Sequence, residues 1–188
     1  MTRWLKQQCV KPISSRPSNM PNWIVAERAY DLPRNIALLD TNVLIALANP
    51  RDGNHEHTVG ALDLGEYNWA VPHACLIEAW NMLVGRERRT DLAYALMQWV
   101  LTPGQVILVG DAIEPVSAAH TYSQAFKIDL VDASLIDLAT RISRECGMHP
   151  AVQIATYDTG DFVRFFGRAD LSFNVYDMLN TSSTADTD

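Results

Sequence analysis

Residues 36–45 have the sequence IALLDTNVLI, and they give the clearest indication of how the chain folds. Four consecutive apolar residues, Ile36 to Leu39, end at Asp40 and predict a short strand that is buried on both faces, as in a parallel sheet. The segment from Thr41 to Asn49 has the pattern of a helix and stops before Pro50. A strand followed at once by a helix is the first half of a βαβ unit.

The same alternation continues along the chain. Turn residues and periodicity predict helices at residues 55–66, 72–85, 90–101, 115–126, 131–146 and 159–166, and strands at 69–71, 106–109, 152–156 and 173–176. Thr90 is expected to cap its helix, and Gly147 to follow the end of another. Strands separated by helices predict a three-layer α/β/α domain with a central parallel sheet of four or five strands.

The two ends of the chain differ from this pattern. Residues 1–34 are expected to form an extension, because 14–22 are rich in Ser, Pro and Asn, with Trp4, Trp23 and Val25 as candidates for attaching it to the domain. Residues 35–179 form the predicted domain. Residues 180–188 are small and polar and are expected to be a flexible tail.

Composition restricts the class of protein. The chain has 188 residues, 48% hydrophobic and 20% charged, which is typical of one globular domain. No signal-peptide pattern begins the sequence, and the apolar stretches are shorter than a membrane span, so a cytoplasmic protein is expected. Three scattered cysteines predict buried thiols. A net charge of −7 means that any nucleic acid must be bound by a local basic patch or through a partner chain.

Four acidic residues are not explained by ordinary packing. Asp40 and Asp158 follow predicted strands, at the edge of a parallel sheet where ligands bind. Glu78 and Asp132 lie on largely apolar helix faces, with no basic residue three or four positions away. Burying an unpaired carboxylate costs several kcal/mol or more, so these acids require a cation, a proton or a hydrogen-bond network.

Asp137 provides a comparison on the same predicted helix. Arg141 lies four residues after Asp137, so the two are expected to form an ordinary ion pair at the surface. Asp137 therefore needs no functional explanation.

Helix capping is the alternative interpretation for several of the acids. Asp40 precedes the helix that begins at Thr41, and Asp158 and Asp129 occupy similar positions before later helices. Asp161 would be favourably placed in the first turn of its helix. Both interpretations remain open for these residues from the sequence alone.

Convergence of four carboxylates would require a cation, because like charges within about 5 Å repel strongly. Carboxylate oxygens without histidine or cysteine favour Mg²⁺ or Mn²⁺ over zinc. His55 and His57 are expected to be solvated, whereas His73 lies near the predicted edge of the sheet and is a candidate for facing substrate.

Three segments together resemble the PIN-domain ribonucleases. They are residues 36–45, then VDASLIDLA at 131–139, then IATYDTGDF at 154–162, with Glu78 in the place of the second acid. The resemblance covers residues 36–177. It implies a Mg²⁺- or Mn²⁺-dependent endoribonuclease, frequently the toxin of a VapC-type toxin–antitoxin pair, which forms a homodimer and is inhibited by a small antitoxin.

The resemblance also implies roles for individual residues. Asp40, Glu78, Asp132 and Asp158 would be the catalytic metal ligands, with Asp161 as a further ligand through water. Thr41, Asn42 and Thr156 are candidates for orienting these ligands or the substrate. Candidate contacts to the RNA backbone are Arg51, Arg86, Arg88, Arg89, Lys127 and Arg164. For the arginines at 86–89, a solvated helix end is the alternative interpretation.

Three other functions compete with this one. The same fold could serve as a non-catalytic module that binds RNA or protein, although a scaffold has no need for repelling carboxylates. A haloacid-dehalogenase-like phosphatase would need a second aspartate two residues after Asp40, where the chain has Asn42. A phosphorylated receiver domain would need a paired acid at the first strand and a suitably placed lysine.

Overall fold

The computed structural model describes residues 23–25, 32–33, 35–65, 67–102, 104–110, 113–145, 147, 152–166, 168 and 170–180. Trp4, most of the predicted extension and residues 181–188 lie outside the described residues. The division of the chain into segments 1–34, 35–179 and 180–188 therefore stays a prediction.

Six strands and seven α-helices alternate along the described chain. The strands are β1 Trp23–Val25, β2 Ile36–Leu39, β3 Asn68–Pro72, β4 Ile107–Gly110, β5 Gln153–Thr156 and β6 Asn174–Asp177. The helices are α1 Thr41–Ala48, α2 His55–Asp63, α3 His73–Asn81, α4 Thr90–Val100, α5 Ile113–Phe126, α6 Leu130–Glu145 and α7 Gly160–Val163. A π-helical turn, Met82–Arg86, continues α3, and a 3-10 turn, Met178–Asn180, follows β6.

All strand pairs in the sheet are parallel, and the strand order is β1-β4-β3-β2-β5-β6. This confirms the predicted three-layer α/β/α class. The sheet has one strand more than the four or five expected, because Trp23–Val25 pairs with Leu108–Gly110 at its edge. No helix of the described part of the chain is both long enough and apolar enough to span a bilayer.

Strand β2 lies in the middle of the sheet, where the sequence predicted a strand buried on both faces. All four of its residues are buried. Strand β3 pairs with β2 on one side, and β5 pairs with it on the other. The chain leaves β2 towards β3 and later returns to the opposite side for β5. The order of strands therefore reverses beside β2, and such a switch point forms a crevice at the carboxyl ends of the strands.

Most predicted helices are found within a few residues of their expected bounds, and the differences have local causes. The helix predicted to reach Gly85 ends in the π-helical turn, which Glu87 N–H closes on Met82 O at 3.0 Å. Thr90 is the first helical residue of α4, so the expectation that it caps the helix was wrong; Arg89 holds the cap position without a side-chain bond. Gly147 follows α6 with a φ of 55°, as expected of a glycine after a helix end.

Asp137 differs from its prediction in burial. Its carboxylate accepts a hydrogen bond from Arg141 Nε at 2.8 Å, so the expected ion pair is present. The residue is only 6% exposed, however, and the expectation of a surface pair was wrong. Helix α5 packs along α6, and the charge of Asp137 acts on Tyr122 of α5, so α5 covers the face of α6 that was expected to be solvated.

Candidate active site

Asp40 is buried at the carboxyl end of β2, where it caps α1. Thr41 N–H donates to Asp40 Oδ1 at 2.6 Å, which confirms the capping interpretation. The second oxygen, Oδ2, accepts from Asn42 Nδ2 at 2.8 Å and from Thr156 Oγ1 at 2.7 Å. Capping and a functional role are compatible, because each carboxylate oxygen has more than one lone pair.

Burial raises the pKa of Asp40 to about 6 despite these hydrogen bonds. The bonds from Thr156 and Thr41 act in the opposite direction, and the charges of Glu78 and Asp129 contribute to the rise of the pKa. Asp40 is therefore a buried carboxyl with other acids near it. Perturbation of this kind is frequent at functional sites.

Thr41 connects Asp40 to Glu78. Its hydroxyl donates to Glu78 Oε2 at 2.6 Å, across 37 positions in the sequence. Helix α3, which carries Glu78, packs against both α1 and α6. Glu78 is therefore brought to the start of α1, as the hypothesis of a shared site required.

Asp132 lies in the first turn of α6. Asp129 caps this helix, because its Oδ1 accepts from Val131 N–H at 2.8 Å and from Asp132 N–H at 2.9 Å. The pKa of Asp132 is raised to about 8, mainly by burial, and the charges of Asp129, Asp40 and Asp161 and a hydrogen bond with Asp129 contribute to this rise. Asp132 is thus held among other acids, and no ion pair to it forms within the described part of the chain.

The buried thiol of Cys75 lies close to the same acids. Burial raises the pKa of its thiol well above the ordinary value, and the charges of Asp40, Glu78 and Asp132 add to this effect. Three of the four predicted acids therefore act on one buried thiol. The sequence predicts Cys75 only as one of three buried thiols, and no local pattern indicates that it lies among the acids.

Asp158 and Asp161 join the site in different ways. Asp158 N–H donates to Thr156 Oγ1 at 3.0 Å, and the same hydroxyl donates to Asp40. Asp158 itself is exposed, and it precedes Thr159, which occupies the cap position of α7. The capping interpretation of Asp158 was therefore wrong, whereas Asp161 does lie in the first turn of α7. Asp161 acts on Asp132, as described above.

Asn42 and Tyr157 fix the loop that carries Asp158. Asn42 Nδ2 donates to Thr156 Oγ1 at 2.9 Å, and Tyr157 N–H donates to Asn42 Oδ1 at 3.2 Å. At the other end of its side chain, the Tyr157 hydroxyl is bonded to Thr58 Oγ1 at 2.7 Å. The roles proposed for Asn42 and Thr156 agree with these contacts. Tyr157 had no signal in the sequence, because its partner is 99 positions away.

The carboxylates are neighbours without forming a closed coordination shell. Within the described residues, no three acidic, histidine or cysteine side chains lie close enough together to hold a metal ion as they stand. Mutual repulsion keeps carboxylates apart, and bringing their oxygens to one centre requires a cation.

The candidate basic residues fall into two groups. Lys127 comes two residues before Asp129, and Arg164 Nη2 lies 3.5 Å from Asp161 Oδ1, so both are close to the acids. Arg86 ends the π-helical turn that continues α3, eight residues after Glu78, and Arg88 and Arg89 follow it; Arg89 makes two 2.9 Å bonds to Asp91. Arg51 and His73 are exposed, the first in the turn between α1 and α2 and the second at the start of α3.

Comparison with models of protein families and with curated proteins gives no match. Solved structures do match. VapC20 of Mycobacterium tuberculosis, a sarcin-ricin loop cleaving toxin, has a TM-score of 0.57 and 17% identity over 69% of this chain and 95% of that chain. The chain has the PIN fold.

Two further structures show the same PIN fold. DNA-bound VapBC of Salmonella typhimurium has a TM-score of 0.55 and 13% identity, over 77% of this chain and 98% of that chain. VapBC2 of Rickettsia felis, bound to a promoter DNA fragment, has a TM-score of 0.52 and 13% identity over 76% and 99%. The resemblance expected from the sequence is thus confirmed for the fold. Because one fold hosts many functions, function has to be argued from the site.

Proposed function

We propose that the chain is a divalent-metal-dependent endoribonuclease that hydrolyses phosphodiester bonds of RNA. One observation carries the proposal. Asp40 caps α1, Glu78 lies within α3 and Asp132 lies in the first turn of α6, and the charges of all three raise the pKa of the same buried thiol, that of Cys75. Acids gathered in this way destabilise the folded state unless a cation or a proton compensates them, because each raises the free energy of ionising the others.

The donor set fits Mg²⁺ or Mn²⁺. The groups around the site that can bind a cation are carboxylate and hydroxyl oxygens, which are hard ligands, and burial keeps the nearby Cys75 thiol protonated. Asp40, Glu78, Asp132 and Asp158 would hold the cation, with Asp161 able to contribute through water. When bound, a divalent cation supplies a Lewis acid for the phosphate and for the attacking water.

The remaining residues of the site orient these ligands. Thr156 and Asn42 both donate to Asp40 Oδ2, which fixes the direction of the carboxylate, and Oδ1, which accepts only from Thr41 N–H, keeps a lone pair for a cation. Thr41 does the same for Glu78. Thr156 also holds the backbone of Asp158, so one hydroxyl sets the position of two acids that are far apart in sequence.

A toxin–antitoxin role is part of the proposal. Two structures with this fold are VapBC assemblies bound to DNA. By analogy of fold, we propose that the chain is a cytoplasmic toxin that forms a homodimer and is inhibited by a small antitoxin. Co-expression with the product of a neighbouring small reading frame is expected to yield a stable complex without nuclease activity, and light scattering measures the number of copies in it.

The central test is cleavage of mixed single-stranded RNA by the pure protein. Cleavage is expected with Mn²⁺ or Mg²⁺ and not with EDTA. Asp40→Asn and Glu78→Gln should each lower the rate about a thousandfold or more, because each removes a charged ligand while keeping the shape of the side chain. Circular dichroism checks that both variants fold. Wild-type rates in either variant would contradict the assignment.

A non-catalytic PIN module is the second candidate, because one fold hosts many functions. Calorimetric titration separates the two functions. A module that only binds RNA should take up no Mn²⁺ at the acids and leave RNA intact, whereas the proposed nuclease should bind Mn²⁺ and lose that binding in Asp40→Asn.

A further inference from the structure

Two arginines stacked on aromatic rings, together with a lysine that follows one of these rings in the chain, lie beside the acids. These residues, which we call the cation–aromatic patch, are Phe126, Lys127, Arg164, Phe165 and Arg168. The Arg168 guanidinium carbon lies 4.3 Å from the centroid of the Phe126 ring, and that of Arg164 lies 4.9 Å from the Phe165 ring. The two rings are themselves 4.9 Å apart, so the patch is continuous.

The patch adjoins the acids at two points. Lys127 is two residues from Asp129, a separation that an extended chain spans in about 7 Å. Arg164 contacts Asp161 directly, at 3.5 Å. Asp129 Oδ1 accepts from Asp132 N–H at 2.9 Å, and the charge of Asp161 also reaches Asp132. Lys127 and Arg164 therefore stand at the rim of the acidic site, and Arg168 joins them through the Phe126 ring.

Lys127 occupies an unusual backbone conformation. Its φ is 58°, in the left-handed region that costs a non-glycine residue about 1 kcal/mol. Lys127 N–H bonds to Ser123 O at 2.9 Å, and Ser123 Oγ bonds to Ile128 O at 2.8 Å, which holds this conformation. Arg88, which lies between the π-helical turn and α4, has a φ of 55°. A cation after a helix end is favourable in itself, so Arg88 is a matched control for Lys127.

The chemistry of the patch fits single-stranded RNA. The net charge of −7 and the acids at the site repel a phosphate backbone, so RNA needs cations next to the point of cleavage. Guanidinium groups held against rings present N–H donors to phosphates and flat surfaces to bases. The ion pairs that Arg164 and Arg168 make with Asp161 and Asp170 leave both arginines nearly half exposed, and such pairs are weak.

We propose that single-stranded RNA next to the scissile phosphate lies across the cation–aromatic patch, with its backbone on Lys127, Arg164 and Arg168. This inference rests on the proposed ribonuclease function and names where its substrate binds. The competing surface is the one around Arg86 and Arg88. These arginines begin eight residues beyond Glu78, about 12 Å further along the helix.

The test measures binding separately from cleavage. Asp40→Asn serves as the parent protein, and fluorescence anisotropy measures the affinity of labelled mixed-sequence single-stranded RNA in EDTA over a series of salt concentrations. In this parent, Lys127→Gly and Arg168→Ala should each weaken binding about three- to tenfold and lower the salt dependence by about one phosphate contact. Arg88→Gly and Arg86→Ala should each change the affinity by less than about twofold.

The matched pairs make the result decisive. Lys127→Gly and Arg88→Gly each remove one cation and relieve the same backbone conformation, so stability effects cancel in the comparison. Equal losses in both pairs, a larger loss at Arg86 and Arg88, or no loss in any variant would overturn the proposal. The two proposals fail separately: a wild-type protein that cleaves RNA while the patch variants bind normally refutes only the patch, and patch-dependent binding without cleavage refutes only the nuclease.

Discussion

Asp132 and Asp137 lie on the same helix, five residues apart, and the charges around them have opposite signs. Asp137 is the more deeply buried, and Arg141 pairs with it at 2.8 Å. Asp132 is half-buried, and the charges near it are those of Asp129, Asp40 and Asp161. Five residues turn a helix by about 140°, so the two carboxylates lie on different sides of α6.

The contrast shows that burial by itself does not distinguish a functional acid from a structural one. A buried carboxylate with a cation at hydrogen-bond distance is already compensated. A less buried carboxylate with only other acids around it is not compensated, and its pKa rises. The sign of the neighbouring charges is therefore the better criterion, and it was visible in the sequence as the presence or absence of a basic residue four positions away.

The largest expected effect is on cleavage. Asp132→Asn should lower the rate of RNA cleavage about a thousandfold, because it removes a charged ligand from the site. Asp137→Asn should leave the rate per folded molecule within about twofold of the wild type, because Asp137 faces Arg141. Single-turnover assays with Mn²⁺ measure both. Similar losses of cleavage rate in the two variants would show that the sign of the neighbouring charges does not separate a functional acid from a structural one.

A smaller effect is expected on the free energy of unfolding, and here the loss of Asp137 should matter more than the loss of Asp132. Asp137→Ala should lower the free energy of unfolding by about 2 kcal/mol, since it leaves Arg141 partly buried without its partner. Arg141 Nη2 is already buried and has no hydrogen-bond partner within the described residues. Urea denaturation measures the loss. The double variant Asp137→Ala with Arg141→Met should recover part of it, and a simple sum of the two single losses would argue against coupling.

The smallest expected effect is a pH dependence in EDTA. The pKa of Asp132 is raised to about 8 in the folded protein, so the folded state binds this proton more tightly than the unfolded state does. The associated stability is fully present below about pH 4 and is lost as the pH rises through about 8. Asp132→Asn cannot ionise there and should avoid this loss.

Solvent screening limits the size of that effect. Asp132→Asn should therefore be more stable than the wild type by about 1 kcal/mol at pH 8 and equal to it near pH 4. Thermal melts at several pH values measure the difference. A constant difference at all pH values would show that the stability change does not come from the ionisation of Asp132.

Local pattern was sufficient to predict much of the fold. The continuous apolar run at 36–39 is found as the central strand β2, and the helix after it begins at Thr41 as expected. The ion pair between Asp137 and Arg141 also needed only helical spacing. Each of these features depends on residues within a few positions of one another. The residues that cause it therefore also form the sequence pattern that predicts it.

Features that depend on partners far away in the sequence were not predicted, or were predicted only in part. Strand β1 has only three residues and no periodicity of its own, and it is defined by its pairing with β4 some 85 residues later. The burial of Asp137 depends on α5, and the stacking of Arg168 on Phe126 joins α5 to the segment after α7. None of these contacts has a signal within one helix or strand.

The sequence by itself determined which residues are acidic without a local partner, where the strands that precede them end, and hence which acids were candidates for one site. Only the tertiary structure decided that Thr41 reaches Glu78 across 37 positions and that Thr156 reaches Asp40 across 116. The physical reason is the range of the interactions. Secondary structure and ion pairs within a helix follow from neighbours in the chain, whereas a site at a sheet edge follows from the order in which parallel strands are placed, and that order is fixed by packing of the whole domain.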